Sequence, residues 1–515
     1  MWKSLRTYTL VVIVVFETGC SLPYYTARNK PLDREGCATA VQGVRHGHRS
    51  AESQLVDDVY IGVSISGGGS RAANFGAAVL EQLDVLGILE HVTTISSVSG
   101  GSLPAAYYGL YRPKTPSQWN EMRSVLGTDF LTAWAWKLIA PHNLALTVAT
   151  DLDRSDLMAE VFDDVAFNGR TFGQLQWPGP RIAINATAPS GRPFTFTPWA
   201  FYQSLQSRLD NYPISHAVMA SGAFPGVFNN VTLARYTPPG RYLDPCSGQP
   251  PRDVVSSYPH LMDGGPSDNL GIHSLRTEVG DYDKRYRAQN SPSSPQCLFI
   301  MIDAYQGAPQ RDFDVRRDLR GMRGWILDLN VLDAVDSLLR WNRDSALSQL
   351  NPIIPYPDFS RAVSYASIPY YENDSNGERT GEVTCVTWHI GFEHLADTSL
   401  IDPEPSAEVK RFREQVRALA GGTDTNYQLT GMGCPATVLQ RALYDAAYIL
   451  VQEDRRSRDS ICAWLTNAFR GRITCTPPPN KPLLSGAYPL TIAKQSVPSY
   501  DLPDVVRCRS DDRTP

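Results

Sequence analysis

The chain is expected to fold as an α/β protein around a mostly parallel sheet, and three consecutive stretches carry that expectation. Val59-Tyr60-Ile61-Gly62-Val63-Ser64-Ile65 is apolar and β-branched without interruption, the pattern of a strand buried on both faces. Residues 71–86 then read as a helix, with Phe75, Val79, Leu83 and Leu86 on one face and Gly87 ending it. Residues 92–98 form a second buried strand. A strand, a helix and a strand in that order pair in parallel, with helices covering both faces of the sheet.

The totals fit a folded globular protein. The chain has 515 residues, of which 42% are hydrophobic and 20% charged, enough for two to four domains by length. A formal net charge of −5, with no run of Lys and Arg, argues against nucleic acid as a main partner. No internal repeat stands out.

Taken in order, the chain opens with Lys3 and Arg6 ahead of the apolar run Tyr8-Thr9-Leu10-Val11-Val12-Ile13-Val14-Val15-Phe16. That run is too short to span a bilayer and has the proportions of a secretory h-region. It ends at Glu17-Thr18-Gly19-Cys20 and so resembles a bacterial lipoprotein signal, in which the cysteine is acylated and becomes the new N-terminus. Glu17 departs from that pattern, and an ordinary signal peptide with an incidental cysteine is the alternative. The resemblance implies residues 1–19 as signal peptide, Cys20 as the lipidation site, and a cell-envelope location. With Ser21 after the cysteine, that means the outer membrane, facing the periplasm. Eight further cysteines are scattered without C-x-x-C spacing, compatible with disulfides in an exported chain, although Cys297 could as easily be a buried thiol.

Residues 20–55 are polar and read as a linker, and the pair His46 and His48 within them looks solvated. Past the second strand, Leu103-Pro104-Ala105-Ala106-Tyr107-Tyr108 begins a helix with proline in its first turn. Between Trp119 and Pro141, the residues Phe130, Leu131, Trp134, Trp136, Leu138 and Ile139 form an apolar, aromatic helical stretch, expected in the core. A wall of an acyl pocket or a lipid-facing surface is its alternative. Arg181-Ile182-Ala183-Ile184-Asn185-Ala186-Thr187 and Phe194-Thr195-Phe196-Thr197 read as strands, and a Pro/Gly-rich excursion occupies 237–252. Tyr258-Pro259-His260-Leu261-Met262 runs into Asp263, and the buried strand Leu298-Phe299-Ile300-Met301-Ile302 ends at Asp303. Beyond 310 the chain reads as mainly helical to 475, with a strand at 383–390, and then as an irregular tail over 476–515. That region is either a separate domain or a decoration of the same sheet.

The chemistry gathers at strand ends. Ser99 lies in Ser97-Val98-Ser99-Gly100-Gly101, a small-residue turn between strand and helix that would lift its hydroxyl clear of the sheet beside free helical N–H groups. Gly67-Gly68-Gly69 ends the first strand where a helix begins, so its N–H groups can aim at an oxyanion without side chains in the way. Asp263 is followed by Gly264 and Gly265, which allow close approach. A serine needs a base within hydrogen-bond reach, and a carboxylate in a desolvated cleft can act as one.

Together these blocks resemble the patatin-like phospholipase family. Ile65-Ser66-Gly67-Gly68-Gly69-Ser70-Arg71 is similar to its oxyanion loop, Ser97-Val98-Ser99-Gly100-Gly101 to its nucleophile elbow, and Asp263-Gly264-Gly265 to its catalytic aspartate motif. Ile184-Asn185-Ala186-Thr187 and Ala220-Ser221-Gly222-Ala223-Phe224-Pro225 look like its middle motifs. Ser97 stands where the elbow usually has its first glycine, and Ser66 where an acidic or apolar residue is usual. The resemblance implies a three-layer patatin-like sandwich over 56–310, with 311–475 as a mainly helical extension. It also implies hydrolysis of lipid acyl esters by a Ser99–Asp263 dyad, with Gly67, Gly68 and Gly69 as the oxyanion hole. Arg71 would hold that loop or a phosphate, or would simply be a surface charge. Neither cofactor nor metal is expected, since no acidic cluster has calcium-loop spacing. Partners are expected to be a membrane lipid or lipid-like ester and, through Cys20, the membrane itself. Two rivals remain: a Ser–Asp–His hydrolase using Asp303 with His389 or His394, and a non-catalytic, membrane-tethered lipid-binding protein. His260 and His273 are expected to be structural.

Overall fold

Seven strands make the central sheet in the order β4-β3-β2-β1-β7-β9-β8. They are β1 (Val59–Ile65), β2 (Thr94–Val98), β3 (Arg181–Thr187), β4 (Pro193–Thr195), β7 (Gln296–Asp303), β8 (Val363–Tyr371) and β9 (Arg379–Gly391); β5 (Val231–Thr232) and β6 (His260–Leu261) form a separate small ribbon. The computed structural model of the chain describes residues 27–32, 59–175, 179–236, 255, 257–290, 295–305, 330–350, 362–371, 379–396, 406–475, 490–493 and 505–508. The proposed signal peptide, Cys20, the 46–48 histidine pair and most of the tail lie outside these residues.

The five inner strands run parallel, and only the edge strands β4 and β8 are antiparallel to their neighbours. The period of two along each strand divides the core. Ile61, Val63, Leu298, Ile300 and Ile302 point into one buried cluster, while Tyr60, Cys297, Phe299 and Met301 point into another. The first is roofed by α1 (Gly69–Val85), α2 (Ser102–Tyr111), α8 (Ala407–Gly421), α9 (Ala436–Tyr448) and α10 (Arg455–Ala468), through Phe75, Leu80, Leu103, Leu419, Leu443 and Leu465. The second is covered by α6 (Ile272–Asn290) and α7 (Asn330–Leu350), through Leu275, Val279 and Leu347. Helices α3 (Phe130–Ile139), α4 (Pro141–Ala149) and α5 (Arg154–Phe162) precede β3.

Residues past 310 therefore complete the same sheet and the same core. The strand expected at 383–390 is the middle of β9, and its hairpin partner β8 carries no clear strand signal because Val363-Ser364-Tyr365-Ala366-Ser367-Ile368-Pro369 alternates with polar residues and contains a proline. A proline removes a ladder donor, which only an edge strand tolerates, and β8 is the edge. A fully buried ion pair, Arg413 Nη1 to Asp454 at 2.9 Å, ties α8 to the start of α10, and Arg413 Nε donates to Leu395 O. Cys297 is not a thiol: it is bonded to Cys385 across β7 and β9, and a second disulfide joins Cys462 to Cys475.

The first disulfide links positions 88 residues apart and is buried within the second core cluster. The double variant Cys297→Ser/Cys385→Ser is expected to lose about 2–4 kcal/mol of stability, read as a lower urea midpoint than the oxidised wild type under identical buffer.

Candidate active site

The C-terminal ends of the parallel strands share one edge, where Ile65 is level with Ser97 and Ile302, and Val98 with Asn185. Ligands of parallel α/β sheets sit at this edge, because there the chain leaves the sheet on loops. Ser99 takes the first step off β2 with φ 50°, a left-handed backbone that costs a non-glycine residue about 1–2 kcal/mol.

Several contacts hold it there. The Ser99 N–H donates to Ser221 Oγ at 2.8 Å, and that hydroxyl donates onward to Asn185 O at 2.5 Å. Asn185 Nδ2 donates to Ser97 O at 3.0 Å and to Ser96 Oγ at 2.9 Å, so the two middle motifs brace the elbow from either side. Ser97 fits without strain because its hydroxyl reaches Ala183 O of β3 at 3.3 Å. Glycine is required beside it: a Cβ on Gly100 would lie 2.1 Å from Gly69 O.

Asp263 faces this serine. Ser99 Oγ donates to Asp263 Oδ2 at 2.9 Å, and Gly265 N–H donates to Asp263 Oδ1 at 2.8 Å. Asp263 comes from the small ribbon rather than the main sheet, and the paired backbone bonds between Met262 and Thr187 pin it to the end of β3. Burial pushes its carboxyl up to about 6, against the opposing pull of the Gly265 N–H and the Ser99 hydroxyl.

The glycine loop closes the third side. Gly68 and Gly69 both have positive φ, 135° and 51°, and Gly67 lies against Ser99, whose Cβ would be 3.4 Å from a Cβ placed on it. Gly67 N–H donates to Asn269 O at 3.0 Å and Ser70 N–H to Asn426 O at 2.8 Å. The Gly68 and Gly69 N–H groups have no acceptor among the described residues. Arg71 is buried, and its Nη1 donates to Gly421 O at 3.2 Å and Thr423 O at 3.0 Å. It holds the 421–423 backbone beside the loop and is not exposed at the surface.

That C-terminal segment also delivers Tyr427, which no motif announced. Its hydroxyl would meet a Cβ on Gly222 at 1.9 Å, and it faces Ser99 and Asp263 without a completed hydrogen bond. Burial, reinforced by Asp263, drives the phenol far above its usual range, so it stays protonated. Its ring packs edge-on against Phe162 at 5.3 Å and Phe228 at 6.2 Å, and Phe228 packs on Trp134 at 5.4 Å.

The rival triad is not assembled on Ser99. Asp303 and His389 do meet, with Nε2 3.1 Å from Oδ2, but the other ring nitrogen of His389 faces His394 at 3.0 Å. Burial works to raise the Asp303 carboxyl, yet the Arg343 guanidinium at 2.7 Å and His389 outweigh it and hold it far below the usual carboxylate range. Burial, aided by His389, pushes His394 down to about 3. His260 is exposed, with Nδ1 2.9 Å from Thr232 Oγ1, and His273 donates its N–H to Asp268, which starts α6. Neither enters the site.

Residues 63–276 match the family model described as patatin-like phospholipase. With that match, the sheet and its flanking helices are the patatin fold. Among solved structures, human GIVD cytosolic phospholipase A2 is similar at 14% identity and a TM-score of 0.44, over 85% of this chain and 64% of that one. The same human protein in complex with methyl gamma-linolenyl fluorophosphonate is similar at 14% identity and a TM-score of 0.42, over 88% and 67%. The chain thus spans less than two thirds of the length of the first of these structures. No curated protein matches the chain.

Ser221 carries two buried backbone groups at once, so Ser221→Ala leaves the Ser99 N–H and Asn185 O unmet. A loss of about 1–3 kcal/mol is expected, measured by denaturant unfolding against wild type.

Proposed function

We propose that the protein hydrolyses acyl esters of lipids, with Ser99 as nucleophile and Asp263 as its base. The observation that carries this reading is the direct 2.9 Å bond from Ser99 Oγ to a buried carboxylate, with no histidine between them. As Oγ attacks the acyl carbonyl carbon, its proton passes to Asp263, whose raised affinity for protons suits the task. Collapse of the tetrahedral intermediate expels the alcohol, which takes that proton, and leaves an acyl-serine. Asp263 then takes a proton from water as the water oxygen attacks the acyl carbon, and collapse breaks the bond to Ser99 Oγ, which takes that proton back as the fatty acid leaves. The oxyanion falls to Gly68 and Gly69 more than to Gly67, whose N–H already has an acceptor. Tyr427 supplies a protonated hydroxyl at the same place.

The lipid character of the substrate draws support from α3 and α4. The stretch expected in the core divides: Phe130 is buried and Trp134 half-buried, but Trp136 is 65% exposed and Ile139 60%, joined on α4 by Leu144 and Val148. The physical reason is length, since these short helices have a single inward edge, and the inner side already packs on α5 and Phe228. Trp134, Phe228 and Tyr427 connect this patch to Ser99. In the proposed reading it rests on the lipid surface from which substrate enters. No helix among the described residues is long and apolar enough to cross a membrane. Export, with Cys20 lipidated and the enzyme on the outer membrane facing the periplasm, remains the proposed location; the disulfides are of the kind oxidising compartments produce.

Labelling by a fluorophosphonate probe is expected to vanish in Ser99→Ala and to fall about 10³-fold or more in Asp263→Asn, while His389→Gln keeps it. In wild type the labelling rate should rise with pH through about 6 and level off above, because only the unprotonated Asp263 accepts the proton. Equal labelling of Ser99→Ala would end the proposal.

Replacing Trp136 and Ile139 with Asp is expected to weaken sedimentation with phosphatidylglycerol–phosphatidylcholine vesicles about tenfold or more, while hydrolysis of a short soluble ester is unchanged.

A further inference from the structure

We propose that His389, Glu393 and His394 form a binding site for a zinc-class divalent ion, apart from the Ser99–Asp263 pair. Three donor atoms converge there from six residues of chain. His389 lies near the end of β9, and Glu393 and His394 lie in the tight turn Phe392–Ala396 that follows. His389 Nδ1 is 3.0 Å from His394 Nε2 and 3.5 Å from Glu393 Oε1, and the three donor atoms lie within 4.8 Å of one another. Ligands bound tetrahedrally at zinc's usual 2.0–2.1 Å stand about 3.3 Å apart, which these two spacings bracket. It is the one such group among the described residues.

Their outer partners orient them. His389 Nε2 faces Asp303 Oδ2 at 3.1 Å, so its N–H belongs on that side and the Nδ1 lone pair points into the cluster. That lone pair meets Glu393 Oε1, an atom that is itself buried and has no hydrogen-bond partner. Two acceptors face each other, and one N–H from His394 satisfies only one of them. A metal ion would satisfy all three. The other carboxylate oxygen, Oε2, is fixed by Arg343 Nη2 at 2.7 Å, leaving Oε1 aimed inward.

Charge and donor type select the ion. Arg343 pairs with Asp303, Asp344 and Glu393, so three carboxylates share one guanidinium and leave two negative charges. A divalent ion balances them. Two imidazoles and one carboxylate suit zinc over magnesium or calcium, which prefer oxygen throughout. The Glu393 side chain is 30% exposed, so the cluster lies close to the surface. Through Arg413, which donates to His394 O and Leu395 O, the site would lock the end of β9 to α8.

The full-length, tag-free chain, stripped with EDTA and desalted, is exposed to zinc chloride and assayed for bound metal by mass spectrometry. A parallel sample receives cobalt(II), whose visible d–d absorption reports four-coordinate nitrogen–oxygen ligation. Wild type is expected to retain about one zinc per chain and to show the cobalt band. Glu393→Gln and His394→Gln, checked for folding by near-ultraviolet circular dichroism, should lose both. Asp303→Asn should weaken zinc binding about 10–100-fold. The proposal is overturned if stripped wild type takes up neither metal, if it binds cobalt without the four-coordinate band, or if the folded variants bind as wild type does. Should the variants fail to fold, the wild-type cobalt spectrum alone decides.

Discussion

A serine held in a left-handed backbone conformation at the end of a buried strand is the constraint around which this molecule is arranged. Left alone, Ser99 would relax into extended geometry and point its hydroxyl along the sheet. The Ser221 hydroxyl takes its N–H, Asn185 holds the Ser97 carbonyl, and Gly69 presses its own carbonyl onto Gly100. Each brace comes from a different element, so the turn depends on β3, on the helix Ile214–Ser221 and on the start of α1 being in place together. The hydroxyl of Ser99 meets a carboxylate that owes its raised proton affinity to the same packing.

How much of this was legible in the sequence follows from how local each feature is. Strand β1, helix α1 and strand β2 could be read because a continuous apolar run and a 3.6-residue stripe are decided within a dozen residues. Ser99, Asp263 and the glycine loop could be picked out because each lies where an apolar strand gives way to a run of small residues. Tyr427 was not, because nothing around it differs from an ordinary loop and its place is set by contacts from the far side of the chain. Strand β8 hid behind Pro369 and its alternating polar residues. Asp303 and His389 were noticed as residue types, but their burial with Arg343 and His394 depends on the pairing of β7 with β9.

The two sides of the sheet carry different chemistry. On the side of β2 and β3, hydrogen bonds run from hydroxyl to backbone, and Asp263 in their midst is raised by burial with no cation beside it among the described residues. Around β7 and β9, carboxylates, imidazoles and guanidinium are packed together, and Asp303 is strongly acidic although equally buried. The contrast shows the environment deciding protonation: two aspartates of the same sheet edge are driven in opposite directions by the presence or absence of an adjacent arginine.

The contact of Arg71 with the carbonyls of Gly421 and Thr423 joins positions about 350 residues apart. The glycine loop is therefore finished by backbone that leaves the ribosome long after the loop itself. Until residues 421–427 arrive, the Ser70 N–H lacks its acceptor, the Arg71 guanidinium lacks the Gly421 and Thr423 carbonyls, and the first turn of α1 has no lid over Gly69. A chain ending at residue 310 contains all of β1, β2, β3 and β7 and still holds an incomplete mouth. Assembly of the site is thereby deferred to the last stages of synthesis, at the entropic cost of closing a very long loop.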